Sequence, residues 1–351
     1  MFWEFCVKMA PKKIRNMEEF AAVSGISRPT LSKYFNDPET VRQSTRDRIE
    51  LALSQYDYRP NVFAVNQNRR RTRNIGIIVP NLSDPFFSEI GREVELACIS
   101  AGYSPILLSS HGSPAQERDN LDSLRSLKPA GVLLAPFGRA SDRADIENFN
   151  KDVPVVLFDA NIDGACEAFV GTNNFQSVDL IVEYLCRSGE PPCFFEMKAP
   201  TNPNANKRRQ AYLESMERHG HTPHVFQAEG AGWSFEEIGN VEGGRFIDGD
   251  LFRTNTILCS NDRLAIGVLA AAYRLNKRVG HGEDADLRIA GHDDHPFSRY
   301  TCPSLTTIAQ DYAAIANRAS STLFKMLDTD ERLTDREETY FDGKLVMRNS
   351  A

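Results

Sequence analysis

With 351 residues, 41% of them hydrophobic and 25% charged, the chain has the make-up of a globular protein of two or three domains. No run approaches the ~18 apolar residues of a membrane span. The seven cysteines are odd in number and scattered, which argues against a disulfide frame or zinc cluster and for small core residues in a reducing, cytoplasmic compartment. The net charge of −7 divides unevenly: residues 1–73 hold 14 Lys/Arg against 8 Asp/Glu, a net of +6, leaving −13 for the remainder. A basic head on an acidic body suits phosphate binding at one end only.

The opening segment Met1-Phe2-Trp3-Glu4-Phe5-Cys6-Val7-Lys8-Met9 is apolar but lacks the positive start and small-residue cleavage site of an export signal. Residues 1–13 read as a disordered extension, with Met9 and Met17 as alternative starts. Asn16 is placed to cap a short helix, Glu19 completes a capping box, and Phe20, Ala21 and Val23 supply a buried face. Gly25 gives the next turn its backbone freedom, and Ile26 plugs the space between helices. Ser27 caps a second helix, in which Pro29 is tolerable because first-turn N–H groups are unpaired anyway. Leu31 and Phe35 point inward. Arg28, Pro29, Ser32 and Lys33 therefore face outward, where base edges of a DNA major groove would lie. A third helix opens at Ser44-Thr45-Arg46, with Ile49, Ala52, Leu53 and Tyr56 on one stripe. Tyr58-Arg59-Pro60-Asn61, Ala64 and the basic run Arg69-Arg70-Arg71-Thr72-Arg73 follow.

This ordered set resembles the headpiece of the LacI/GalR family of bacterial transcription regulators. Gly25-Ile26-Ser27, Ser32, Asn36, Val41, Thr45-Arg46, Tyr58, Pro60-Asn61 and Ala64 stand at the stations of that family's pattern. The resemblance implies a DNA-binding headpiece over residues 14–60 and a hinge over 61–73. It implies DNA contact by Ser27, Arg28, Pro29, Ser32, Lys33, Asn36, Thr45, Asn61, Ala64 and Gln67. The hinge departs from the pattern. The family's hinge helix reads A-x-x-L, with the leucine wedged into the minor groove, and here Gln67 takes the leucine's place. Glutamine is a poor wedge but can bond acceptors on the groove floor; a shifted hinge helix with Val65 as the wedge is the alternative.

From Asn74 onward short aliphatic runs alternate with helical segments. Ile75-Gly76-Ile77-Ile78-Val79, Pro105-Ile106-Leu107-Leu108, Gly131-Val132-Leu133-Leu134-Ala135 and Val155-Val156-Leu157-Phe158 form one series of strands. Cys193-Phe194-Phe195-Glu196, Val225-Phe226-Gln227, Thr256-Ile257-Leu258-Cys259 and Leu287-Arg288-Ile289-Ala290 form a second. The expected fold is α/β: an all-α helix-turn-helix head before two lobes of doubly wound parallel sheet. The body resembles the periplasmic-binding-protein-like core of the same family, through segments such as Asp84-Pro85-Phe86-Phe87, Ser260-Asn261-Asp262 and Gly291-His292-Asp293-Asp294. That implies an effector-binding and dimerisation core over 74–351, with lobe 1 at 74–172 and 303–333 and lobe 2 at 173–302 and 334–351. The crossings are expected near 171–174, 302–304 and 333–336.

Ligands of open α/β sheets bind outside the carboxyl ends of strands. Those ends hold Asp84, Phe86, Phe87, Asp159, Asn161, Asn202, Asn204, Asn206, Arg208, Trp233, Asn261 and Asp293, with Gln310 near the last crossing. Planar polar groups and aromatic faces suit a sugar. The resemblance places Phe86, Phe87, Asp159, Asn204, Arg208, Trp233, Asn261, Asp293 and Gln310 at the family's effector contacts. Each has another reading: Asp159 and Asp293 as helix caps, Phe86 or Phe87 as core, Trp233 as a surface staple. Ala160 departs from the pattern, since many sugar-binding members have arginine there.

Two histidine-rich stretches invite a metal-enzyme reading. Gly291-His292-Asp293-Asp294-His295 reads better as an effector loop at a strand end, and His219-Gly220-His221-Thr222-Pro223-His224 as a helix-to-strand connector. Neither a phosphate-cradling glycine loop nor a nucleophile elbow is present in the sequence. A transport binding protein would need an export signal and no basic head. The expectation is a repressor and not an enzyme, without metal or cofactor, whose partners are palindromic double-stranded DNA, a small-molecule effector and a second copy of itself. With no leucine heptad after the last expected strand near Lys344-Leu345-Val346-Met347, a dimer is expected over a tetramer.

Overall fold

The computed structural model describes residues 12–59, 72–200, 203–282, 284–329, 333 and 335–351. Asn61, Ala64, Gln67, Asn202, most of the expected hinge and all but the end of the N-terminal extension lie outside the described residues. The chain divides into two compact units, one ending at Thr72 and the other beginning at Arg73.

The described residues of the first unit are built on three α-helices. Helix α1 (Met17–Ser24) is capped by the Asn16 side chain, which accepts from the Glu19 amide at 2.9 Å. The Glu19 carboxylate reaches back one residue further than a capping box requires, accepting from the Arg15 amide at 2.9 Å. Gly25 ends α1 at φ 64°, a left-handed position that costs glycine nothing. Ser27 caps α2 (Arg28–Asn36). Helix α3 (Gln43–Gln55) begins one residue before the expected opening, with Arg42 at its cap. Phe20, Leu31 and Ile49 are fully buried where the three helices meet, and Tyr58 stacks on Phe20 with ring centres 4.5 Å apart. Two short parallel strands, β1 (Lys12–Lys13) and β2 (Tyr56–Asp57), tie the ends together.

The second unit has two lobes. In the first, β3 (Asn74–Val79), β4 (Ser104–Ser109), β5 (Gly131–Leu134), β6 (Val155–Phe158), β7 (Ala168–Thr172) and β13 (Glu337–Phe341) make one parallel sheet in the order β13-β7-β6-β5-β3-β4. In the second, β8 (Cys193–Met197), β9 (Val225–Ala228), β10 (Thr256–Cys259) and β11 (Arg288–Ala290) are parallel in the order β11-β10-β8-β9. Crossover helices cover the faces. Those of the first lobe are α4 (Pro85–Ser100), α5 (Pro114–Ser126), α6 (Arg143–Asp152) and, from the distal chain, α11 (Tyr312–Thr329). The second lobe carries α7 (Asn174–Ser188), α8 (Asn204–Arg218), α9 (Phe235–Asp248) and α10 (Asp262–Arg274). Aliphatic strands sit in the middle layer, so they read as near-continuous apolar runs.

The structure corrects two of the three expected crossings. The run Pro303–Ile308 stays in the second lobe, because β12 (Thr307–Ala309) pairs antiparallel with β14 (Lys344–Val346). Helix α11 then buries Ile315, Ala316, Ala319 and Leu323 against Ile75, Leu133 and Val156 of the first lobe. The chain crosses at about Gln310, not at 302–304. It returns at about Asp342, not at 333–336, because β13 lies in register beside β7, Glu337 opposite Ala168. The lobes are therefore 73–172 with 311–341, and 173–310 with 342–351.

Candidate functional site

On the first unit, Ser27, Arg28, Pro29 and Lys33 of the second helix and its cap are exposed, and Ser32 and Thr45 are half-buried. Arg28 reaches Glu18 at 3.5 Å, with two-thirds of its side chain in water. Such a pair contributes little and leaves the guanidinium available. The outer face of α2 is thus an array of short polar groups and cations on a rigid three-helix base.

The cleft between the lobes of the second unit is organised around Arg208 and Asp293. Arg208 donates from Nη2 to Asp293 Oδ1 at 2.7 Å, from Nη1 to the Ser260 carbonyl at 2.8 Å, and from Nε to Asn174 Oδ1 at 3.1 Å. Gln310 Nε2 donates to the same carboxylate oxygen at 2.6 Å, and His292 Nδ1 lies 3.1 Å from it. Burial alone would raise the Asp293 pKa, but the Arg208 guanidinium and His292 hold the carboxyl well below the usual carboxylate range. His292 is pushed down to about 4 by burial and by Arg208, so it is neutral at pH 7. Asp159 is pushed up to about 7, by burial first and then by Asp293, against the pull of Arg208. Asp262 rises to about 6, also by burial and Asp293, although Ser298 and Thr307 donate to it.

Polar contacts at Asp159 and Asp84 join the lobes across this cleft, beside those of Thr172 with Gln310 and of Tyr312 with the Asp293 carbonyl. Asn204 Nδ2 donates to Asp159 Oδ1 at 2.9 Å and to its carbonyl at 3.1 Å. Arg263 Nη1 donates to Asp84 Oδ2 at 3.0 Å while its other nitrogens hold Glu236. His295 Nε2 stands 3.7 Å from Asp84 Oδ1. Asp159 at φ 60° and Asp293 at φ 124° sit in left-handed backbone at the ends of β6 and β11. Such conformations are uncommon for non-glycine residues, although aspartate tolerates them better than most.

Most of the expected effector residues converge here. Phe86, Phe87, Asp159, Arg208, Asn261, Asp293 and Gln310 line one cavity, joined by Asp84, Phe235 and Arg263. Phe86 and Phe87 line this cavity and are at the same time core residues of the first lobe. Asn261 is a helix cap as well, its side chain accepting from the Leu264 amide at 2.8 Å. Asn204 stands apart from this lining, its amide spent on Asp159 and Asn174. Trp233 also stands outside it. It packs edge-on against Phe87, with ring centres 6.0 Å apart, and against Phe235 at 5.7 Å, bridging the lobes with aromatic surface. Arg263 was missed in the sequence. Its one signal is position, two residues beyond Asn261 in the first turn of a helix at a strand end.

Comparison with known proteins covers nearly the whole chain. Residues 16–61 match the family described as bacterial regulatory proteins, lacI family. Residues 72–232 match periplasmic binding proteins and sugar binding domain of LacI family, and residues 185–351 match the periplasmic binding protein-like domain. The ribose operon repressor of Escherichia coli is 27% identical over 296 residues, covering 84% of this chain and 87% of that protein. The HTH-type transcriptional repressor PurR of Mannheimia succiniciproducens is 25% identical over 338 residues, covering 95% and 98%. Among solved structures, the Lac repressor dimer bound to operator and the anti-inducer ONPF superposes with a TM-score of 0.80 at 20% identity, covering 97% of this chain and 99% of that one. At that identity the likeness is one of fold.

Proposed function

The chain belongs to the LacI family of bacterial regulatory proteins, whose members similar to it are DNA-binding repressors and not enzymes, and we propose that it is an operator-binding repressor controlled by a sugar or sugar-like polyol held between its lobes. The observation that carries this reading is the Arg208–Asp293 pair. It is a buried, hydrogen-bonded charge pair beyond the carboxyl ends of the second lobe's strands, with Phe86 and Phe87 of the first lobe on the same cavity. Planar donors and acceptors beside aromatic faces are what adjacent hydroxyls and sugar C–H groups require. The name of one relative, the ribose operon repressor, supports the same class. The free volume at the pair is about 10 Å³, at the margin of one water. A sugar must therefore part the lobes or displace the Arg263–Asp84 and Asn204–Asp159 contacts. A ligand with unequal affinity for the two lobe arrangements biases them, and operator affinity with them.

At the other end, Arg28 and Lys33 read base edges, with Pro29 and Ser32 shaping the fit. A dimer reads a palindrome with two such faces. Leu96, Ile99, Tyr273 and Tyr300, each about half exposed or more, supply apolar surface for a second copy to cover. A thermal-shift screen against sugars and polyols tests the effector. At ~100 times its dissociation constant a ligand adds about 2.7 kcal/mol of stability. At least one polyol should stabilise the wild type and leave Asp293→Asn unmoved. Sedimentation should give a dimer at micromolar concentration, and a stable monomer would count against that part.

A further inference from the structure

The open space between the lobes lies beside the Arg208–Asp293 pair, in a cavity of about 1110 Å³. Its wall is basic. The first lobe contributes Arg139 and Arg143, the second Lys207 and Arg209, against one acidic residue, Asp163. Two of the four cations have acidic partners: Arg143 meets Glu147 at 2.7 Å, and Arg209 meets Glu196 at 3.0 Å. The other two, Arg139 and Lys207, have none within 4 Å among the described residues, and they come one from each lobe. Lys207 rests 5.9 Å from the centre of the Phe169 ring.

On a body whose net charge is −13, a cavity with this balance is anomalous. Cations brought to one cavity from opposite lobes oppose closure, within a screening length of about 8–10 Å. An anion between them turns that repulsion into attraction from both sides, so it favours the closed arrangement by differential affinity. Arginine's planar fork matches phosphate and carboxylate, and lysine adds a point charge. Lys207 and Arg208 are neighbours on α8 and line different cavities, so the two cavities adjoin along that helix.

We propose that this basic cavity is a subsite for an anionic group, a phosphate ester or a carboxylate, carried by the effector whose hydroxyl-bearing part engages Arg208 and Asp293. The proposal rests on the effector reading above, but its test does not. Full-length protein is titrated with inorganic phosphate and with acetate at constant ionic strength, chloride being the reference, and thermal stability is read. Saturable stabilisation by phosphate, by acetate or by both beyond chloride is expected, and which of them acts tells a phosphate subsite from a carboxylate one. Arg139→Ala with Lys207→Ala should weaken that response at least tenfold, whereas Arg187→Ala, which removes an exposed cation of α7 outside the cavity lining, should keep it. No response beyond chloride, or an equal response in the double variant, would overturn the proposal. If instead no neutral sugar gives a response that depends on Asp293 while the anion response stands, the cleft reading fails and the anion site survives it.

Discussion

The outer face of α2 and the cleft between the lobes present their polar groups in opposite ways. On α2 the proposed DNA contacts Arg28 and Lys33 are exposed, and the buried layer of Phe20, Leu31 and Ile49 holds the shape. In the cleft the proposed effector contacts Arg208, Asp293, Gln310 and Asp159 are themselves buried and tied to their neighbours by short hydrogen bonds. A surface reader can thus change specificity without changing stability. A buried charge network cannot lose one member without leaving another charge unpaired.

The sharpest way to break this comparison is Arg208→Ala. It strands the Asp293 carboxylate in a buried site and should cost the core about 3–5 kcal/mol, measured by urea denaturation. A loss under 1 kcal/mol would mean the pair is solvated in practice. Glu117 of α5 sharpens the point, being a buried carboxyl with no cation against it among the described residues. Burial pushes it up to about 7 despite hydrogen bonds from Ser141 and the Phe137 amide, and its Oε2 has no partner among the described residues. With a folded pKa above the unfolded value, its contribution is fully present below about pH 4.5 and lost as pH rises through 7. Glu117→Gln should therefore gain stability relative to wild type on going from pH 5 to pH 8. At 1.36 kcal/mol per unit the gain is about 2.5 kcal/mol, and a pH-independent difference would count against it.

Smaller effects are expected at the bridge between the lobes. Arg263→Ala removes the contact to Asp84 and should weaken closure by about 1.5–3 kcal/mol. Small-angle scattering should then show a larger radius of gyration, and an unchanged profile would show that the bridge is dispensable. On α2, Arg28→Ala should leave stability within about 0.5 kcal/mol. It should shift the preference at one operator position by about 1–3 kcal/mol. Uniform weakening on all sequences would make Arg28 a phosphate contact.

The same contrast explains what was legible in the sequence. The head could be read almost residue by residue, because Asn16, Gly25 and Ser27 act on their own neighbours. The strands β3, β5, β6 and β10 were legible as apolar runs. Strand β13 was not, because Glu337-Glu338-Thr339-Tyr340-Phe341 alternates at a sheet edge and its partner lies about 170 residues away, and with it went the last crossing. In the cleft, residues at strand ends were found by position. Arg263 and the basic cavity were not, because their meaning comes from groups on the opposite lobe. Loop position placed the Trp233 ring near the cleft, and its packing on Phe87 and Phe235 could not be read from it.

The most direct test couples the two regions. DNA fragments are selected from a randomised pool by the full-length protein, and affinity for the winner is measured with and without the stabilising polyol, in wild type and in Asp293→Asn. The account predicts a two-fold symmetric winner and a wild-type affinity that changes at least fivefold with ligand. The variant should bind the same DNA and show no such change. An equal ligand response in the variant, or none in the wild type, would contradict it.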